Sequence, residues 1–175
     1  MAVPFKAPVK DITFGYEVID SYNILNKISE FSDFSEDIVI PTMEECAKFS
    51  EEVLAPINAI GDQQGATIDN GVVKMPQEFV DAYKKFAEAG WASISLPEEI
   101  GGGGQPITLS GGTLEILSTA NLAFGLAPGL SAGAISAINF HGSQEQKDTF
   151  LPKLVSGEWT GTMNLSEPQS GSDLG

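Results

Sequence analysis

The chain has 175 residues, enough for one domain with a core of its own. It carries 9 basic and 24 acidic residues, a formal net charge of −15, and every basic residue is a lysine. That balance excludes nucleic acid and anionic membranes as natural partners, since both need a cationic face, and 42% hydrophobic residues exclude a disordered acidic tail.

Pro4 and Pro8 make residues 1–11 an extended arm, and residues 1–20 lack the apolar stretch of a secretory signal. Apolar residues at 14, 18, 22, 25 and 28 predict a helix over Phe14–Ile28, and the acidic stretch 29–37 reads as a loop. Thr42-Met43-Glu44-Glu45, after Pro41, has the form of a capping box. The helix it opens buries Cys46, Phe49, Val53, Leu54 and Ile57, and Pro56 kinks or ends it. Gly65 and Asn70-Gly71 are turn chemistry. Pro76 then starts a helix that buries Phe79, Val80, Tyr83, Phe86 and Ala87 and stops at Gly90. Residues 91–106 form an irregular connection, which includes the run Gly101–Gly104. This run resembles a phosphate loop but fails both patterns, because no Lys-Ser/Thr follows and Pro106 interrupts a Gly-x-Gly-x-x-Gly spacing.

No charged residue occurs from Ile116 to Phe140, a run of 25 residues. Ser118, Thr119, Asn121, Ser131, Ser136 and Asn139 within it argue against a membrane span. The reading is a helix over Leu109–Ala120 and a second, almost wholly apolar helix to Phe140, with a Pro128-Gly129 break between buried helices. Ser143-Gln-Glu-Gln146 caps a further helix with Phe150, Leu151 and Leu154 inward, ending near Gly157. From Trp159 to Leu165 the period becomes two, the pattern of a half-buried strand. A strand there has no partner within the chain, so its backbone groups await one from further polypeptide or another chain.

Four side-chain features carry bland readings. Cys46, the only cysteine, permits no internal disulfide or Cys-rich zinc site, sits on an apolar face and reads as core. With a single histidine no His/His metal cage forms, and His141 beside Gly142 reads as a helix-terminal or core residue. Glu44, Glu45, Glu51 and Glu52 read as a solvated face. A reduced lone cysteine without a secretory signal fits a cytoplasmic protein.

The most informative segment is Met163-Asn-Leu-Ser-Glu-Pro-Gln-Ser-Gly-Ser-Asp-Leu-Gly175. A strand runs into a Gly- and Ser-rich turn, offering backbone N–H groups and the hydroxyls of Ser166, Ser170 and Ser172 to a ligand rich in acceptors, such as a heterocycle with ring carbonyls or a phosphate. Gly171 lets backbone approach such a ligand closely. A plain β-turn is the alternative reading of the same residues.

These residues resemble the flavin-binding signature of the acyl-CoA dehydrogenases. AGWASISLPEEIGGGG and HGSQEQKDTFLPKLVSGEWTG are similar to two further segments of that family, in the family's order, so that residues ~85–175 carry the resemblance. The start, FKAPVKDITFGYEVID, resembles more weakly the subgroup with an N-terminal extension, which includes the 3-methylmercaptopropionyl-CoA dehydrogenases.

The resemblance implies a mainly α fold. Residues 1–158 form the helical N-terminal domain, with 1–35 as the extension, and 159–175 open the middle β-domain. It implies FAD, and oxidation of an acyl-CoA to the 2,3-enoyl-CoA by α-proton abstraction and β-hydride transfer to the flavin. Met163, Leu165 and Ser166 then face the flavin ring, while Gly171 and Ser172 lie by the cofactor's pyrophosphate or the substrate's pantetheine. Ser166 stands where the family usually has threonine, which keeps the hydroxyl. The family's catalytic glutamate falls beyond Gly175, so no catalytic residue is expected in this chain, and Glu167 in the signature turn is structural. Expected partners are the acyl-CoA, an electron-acceptor flavoprotein and further copies of the intact chain, and Leu122 to Ile138 is expected to wall the acyl pocket. The alternatives are an acyl-CoA oxidase, a nitroalkane-oxidase-like relative, or a helical interaction module without cofactor.

Overall fold

A computed structural model describes residues 4–173, a helical bundle with one small hairpin. The arm at residues 4–8 is pinned by one side chain: Glu51 accepts from Lys6 Nζ at 2.6 Å and from the Ala7 N–H at 3.0 Å. These donors hold the Glu51 carboxyl below its usual pKa, the Lys6 hydrogen bond being the larger cause. The first helical stretch begins earlier than its apolar stripe predicts and is broken. Helix α1 spans Val9–Val18 and α2 spans Ser21–Leu25, with Asp20 between them at φ 55°. Its packed side is carried by Tyr16, whose ring lies against Tyr22 and Phe34. Phe14, Val18 and Ile28 of the predicted stripe are exposed.

Helix α3 spans Glu36–Phe49 and begins inside the stretch expected to be a loop. The capping box at Thr42 does not form, and the Thr42 hydroxyl instead donates to the Ile38 carbonyl at 2.7 Å. The apolar stripe continues upstream of that box through Val39 and Phe34, while Glu36 and Asp37 supply the acidic first turn that favours a helix start. Pro41 therefore lies within the helix. Pro56 ends nothing either. A π-helical turn over Ser50–Leu54 precedes it, and α4 continues over Ala55–Gln64 with Pro56 in its first turn. The wider turn relieves the clash that the proline ring makes with the carbonyl four residues before it.

Strands β1 (Thr67–Asp69) and β2 (Val72–Lys74) pair antiparallel, Ile68 opposite Val73. Their two-residue loop has Asn70 at φ 49° and Gly71 at φ 80°, the pair of left-handed residues a twisted hairpin requires. Helix α5 (Gln77–Glu88) buries Phe79, Ala82 and Phe86, and Gly90 at φ 75° stops it as expected.

Helix α6 spans Ile107–His141. Its break falls at Asn121 (φ −159°, ψ 89°), where the first predicted helix ends, and Pro128-Gly129 is passed without interruption. A break leaves backbone groups unpaired; an asparagine amide can replace them, and neither proline nor glycine can. Helix α7 (Gln144–Val155) has the full predicted capping box, with Gln146 N–H on Ser143 Oγ at 3.3 Å and Ser143 N–H on Gln146 Oε1 at 2.8 Å. Leu151, Leu154 and Val155 face inward, and Phe150 is half exposed. The main core joins α1, α3, α4, α5, the first half of α6 and Phe124 just after its break; a smaller one joins Ile135 to α7.

Candidate functional site

The signature segment is anchored at its entry and open beyond it. After α7, Gly157 turns the chain at φ 76°, and the Trp159 N–H donates to the Lys153 carbonyl at 2.9 Å. The Trp159 ring packs near Phe150, with Lys153 Nζ 4.5 Å from its centroid. Gly161 then crosses the second half of α6. Its N–H donates to Ser131 Oγ at 3.1 Å, and a Cβ at this glycine would lie 2.6 Å from the Ala134 Cβ. A cavity of about 550 Å³ opens here between Ala134, Phe150, Leu154, Trp159 and Gly161.

Beyond Gly161 the alternating pattern has no ladder to join. Residues 161–166 carry no regular secondary structure, and Met163 and Leu165 are exposed by 64% and 55%. The strand expected over 159–165 does not form among the described residues, because an isolated alternating segment has no ladder to pair with. Glu167 and Ser170 close a tight turn by exchanging backbone bonds at 2.9 and 3.2 Å. The Ser170 hydroxyl donates to the Asp173 carbonyl just past this turn, while Ser166 and Ser172 are exposed. Gly171 is exposed, with open space where a Cβ would project. Met163, Leu165, Ser166, Gly171 and Ser172 therefore lie on one exposed ribbon leading away from α6, while Leu174 and Gly175 lie outside the described residues.

The second half of α6 presents a distinct outer face. Leu122, Leu126 and Leu130 are exposed by 61%, 61% and 38%, and Gly129 and Gly133 have open space above them. Phe124 and Ile135, expected among the wall residues, point the other way. Phe124 sits 5.5 Å from the Phe86 ring and near Phe79 and Tyr83, and Ile135 belongs to the small core with α7. Helical period separates them from the outward leucines, a distinction that composition alone does not make.

The four consecutive glycines are not a phosphate cradle. The N–H groups of Gly101, Gly102, Gly103 and Gly104 bond to the carbonyls of Glu98, Pro97, Ser93 and Leu96, and the Gln105 N–H bonds to that of Ile94. Every donor such a loop would offer an anion is engaged within the segment. Cys46 is fully buried, its thiol directed to the Thr113 carbonyl at 3.6 Å, and burial pushes its pKa up to about 12. His141 ends α6 at the surface. Among the described residues no group of three or more His, Cys, Asp or Glu is placed to hold a metal ion.

Two residues that matter to this arrangement were not singled out from the sequence, Ser131 and Asn121. Their signal was present as polar residues inside an apolar helical run, where a buried side chain needs a named partner.

The family model described as "Acyl-CoA dehydrogenase, N-terminal domain" matches residues 41–158. The chain belongs to the acyl-CoA dehydrogenase family. It is 41% identical over 170 residues to 3-methylmercaptopropionyl-CoA dehydrogenase of Ruegeria pomeroyi, which covers 97% of this chain and 29% of that protein. Butyryl-CoA dehydrogenase of Megasphaera elsdenii has the same fold, with a TM-score of 0.65 at 23% identity over 81% of this chain and 35% of its own. An acyl-CoA dehydrogenase of Bacillus anthracis, solved in complex with FAD, superposes with a TM-score of 0.62 at 28% identity, over 81% of this chain and 22% of its own. The chain thus spans under a third of the length of its Ruegeria relative. The helical fold is the one this family's N-terminal domain adopts, and α6 is its one helix, among the described residues, long and apolar enough to cross a membrane. In this fold α6 packs against α3, α4 and α7.

Proposed function

We propose that residues 1–158, including the 1–35 extension, are the α-domain of an FAD-dependent acyl-CoA dehydrogenase, and that 159–175 open its middle β-domain. The intact protein is read as a cytoplasmic homo-oligomer that oxidises an acyl-CoA to the 2,3-enoyl-CoA and passes electrons to an acceptor flavoprotein. One observation carries the reading: the signature ribbon is fastened through Gly161 to the half of α6 whose outer leucines and glycines stand open. The entry to the signature segment and the exposed apolar face thus belong to the same half of α6, which supports reading them as parts of one site.

The ribbon's chemistry fits one side of a flavin site. Met163 and Leu165 supply apolar surface that excludes water from a ring face, and both are exposed and free to do so. The Ser166 hydroxyl and adjacent backbone N–H groups donate to the carbonyl edge of a ring system. At Gly171 the backbone can approach a pyrophosphate, and Ser172 donates a hydroxyl to that group or to the pantetheine of the substrate. A flavin held by these residues would supply the hydride acceptor for the substrate's β-carbon. No residue of this chain is assigned the α-proton. Glu167 is committed by its backbone to the turn and is read as structural. Leu122, Leu126 and Leu130 line the acyl pocket, with Gly129 and Gly133 leaving room for the chain.

The test uses the intact polypeptide. Purified protein should be yellow, with flavin absorbance near about 450 nm, and should turn over an acyl-CoA anaerobically with an artificial electron acceptor. Colourless protein without turnover refutes the reading, and turnover that requires oxygen moves the protein to the oxidases.

A further inference from the structure

Asn121 is the one residue of α6 with non-helical backbone angles, and it is 1% exposed. Its amide makes two bonds in opposite directions. Oδ1 accepts from the Phe124 N–H at 3.1 Å, capping the helix that follows, and Nδ2 donates to the Leu54 carbonyl at 3.1 Å. Leu54 closes the π-helical turn between α3 and α4. One side chain thus joins the π-helical turn to the break in α6, and it stands immediately before the face formed by Leu122, Leu126 and Leu130.

The two halves of α6 are held differently. The half before the break buries Leu109, Gly112, Thr113, Ile116, Leu117 and Ala120. The half after it has few buried positions, chiefly Phe124, Gly125, Ser131 and Ile135. The second half is held by Phe124 in the main core and by α7 along Ile135 and Ile138, and Asn121 ties its start to the π-helical turn. At about 1.5 Å rise per residue, Gly133 stands roughly 18 Å from Asn121. A tilt of about 5° at Asn121 then moves Gly133 by about 1.5 Å, close to the length of a carbon–carbon bond.

We infer that Asn121 is a positioning residue that sets the depth of the acyl pocket by fixing the tilt of the helix 122–141. The inference rests on the reading of Leu122–Gly133 as the pocket wall. Asn121 is buried within the bundle and is assigned no contact with acyl chain or flavin. It acts by tying the start of the wall helix to the π-turn, so that wall position follows the α3–α4 junction.

The full-length, flavin-loaded enzyme is compared with Asn121→Asp, Asn121→Ser and Gly133→Leu. Asn121→Asp keeps an acceptor for the Phe124 N–H but sets an oxygen against the Leu54 carbonyl; Asn121→Ser is neutral and too short to reach it. Dissociation constants for enoyl-CoA products of increasing chain length are measured by equilibrium dialysis, with KM and kcat alongside. Both Asn121 variants should change the ratio of long-chain to short-chain affinity by about tenfold, the scale of one methylene in a pocket, with the flavin still bound. A ratio like the parent's in Asn121→Ser overturns the inference, even if stability falls. If Asn121→Asp does not fold, Asn121→Ser decides. Gly133→Leu separates the two readings. If it shifts the ratio and the Asn121 variants do not, the wall stands and the positioning role falls. If it shifts nothing, the wall reading falls and takes the inference with it.

Discussion

Gly112→Ala should loosen the contact between the N-terminal extension and the bundle. A Cβ at Gly112 would lie 2.7 Å from Met43 Cε, 2.8 Å from the Tyr16 hydroxyl and 3.0 Å from Met43 Sδ. Met43 is fully buried, so its thioether can make room only by repacking against its neighbours. The Tyr16 hydroxyl is held by the Thr108 carbonyl at 2.6 Å, and the same burial pushes its pKa up to about 12. Overpacking of this kind costs about 1–3 kcal/mol, and displacing the tyrosine bond adds about 1 kcal/mol. Alanine returns about 1 kcal/mol as the better helix former. The net loss of about 1–3 kcal/mol lowers Tm by roughly 2–12 °C in a chain of this size. Thermal unfolding followed by far-ultraviolet circular dichroism measures it. Tyr16→Phe removes the hydroxyl, so Gly112→Ala should cost less in that background, with a coupling of about 0.5 kcal/mol or more. Wild-type stability in Gly112→Ala, or an equal cost in both backgrounds, refutes the packing argument.

Three further outcomes are expected. The 175-residue chain alone should purify without stoichiometric flavin, because it offers one ribbon and no opposite wall; yellow protein at one flavin per chain contradicts this. In amide exchange monitored by mass spectrometry, residues 161–173 should exchange quickly and the helices slowly, whereas fast exchange throughout residues 1–158 shows that the bundle does not fold by itself. Cys46 should ignore thiol reagents at neutral pH until the chain unfolds. Its folded pKa is raised, from 9.0 to about 12, so its contribution to stability is present below pH 9 and is lost as pH rises towards 12. A Cys46→Ser variant should show a weaker alkaline loss, and an identical pH profile rejects that origin.

Much of this arrangement was legible in the residues. The capping box at Ser143, the stop at Gly90 and the Asn70-Gly71 turn are local, and local rules place them correctly. The start of α3 was misplaced because the box at Thr42 satisfies a local rule, whereas burial of Phe34 and Val39 is a tertiary fact. The break in α6 was assigned partly to Pro128-Gly129 because proline and glycine are the usual breakers. Its position at Asn121 depends on the Leu54 carbonyl, 67 residues away in sequence. The signature segment was found through its resemblance to a family, yet its anchor on Ser131 was invisible, since nothing in the order of residues says that Gly161 crosses α6.

The tetraglycine run has a consequence for how this protein tolerates change. Read as a string, it is the most linker-like stretch in the chain and the natural place to insert a tag or to mutate freely. Its four residues are constrained in two different ways. Gly101 and Gly104 adopt φ of 91° and 63°, where side chains are strained. A Cβ at Gly102 or Gly103 would lie 2.1 Å from the Leu96 carbonyl oxygen or 2.8 Å from that of Ile94, backbone atoms that cannot swing aside. In a library of all single substitutions these positions should be depleted like the buried core, while the outer leucines of α6 vary more freely when folding alone is selected.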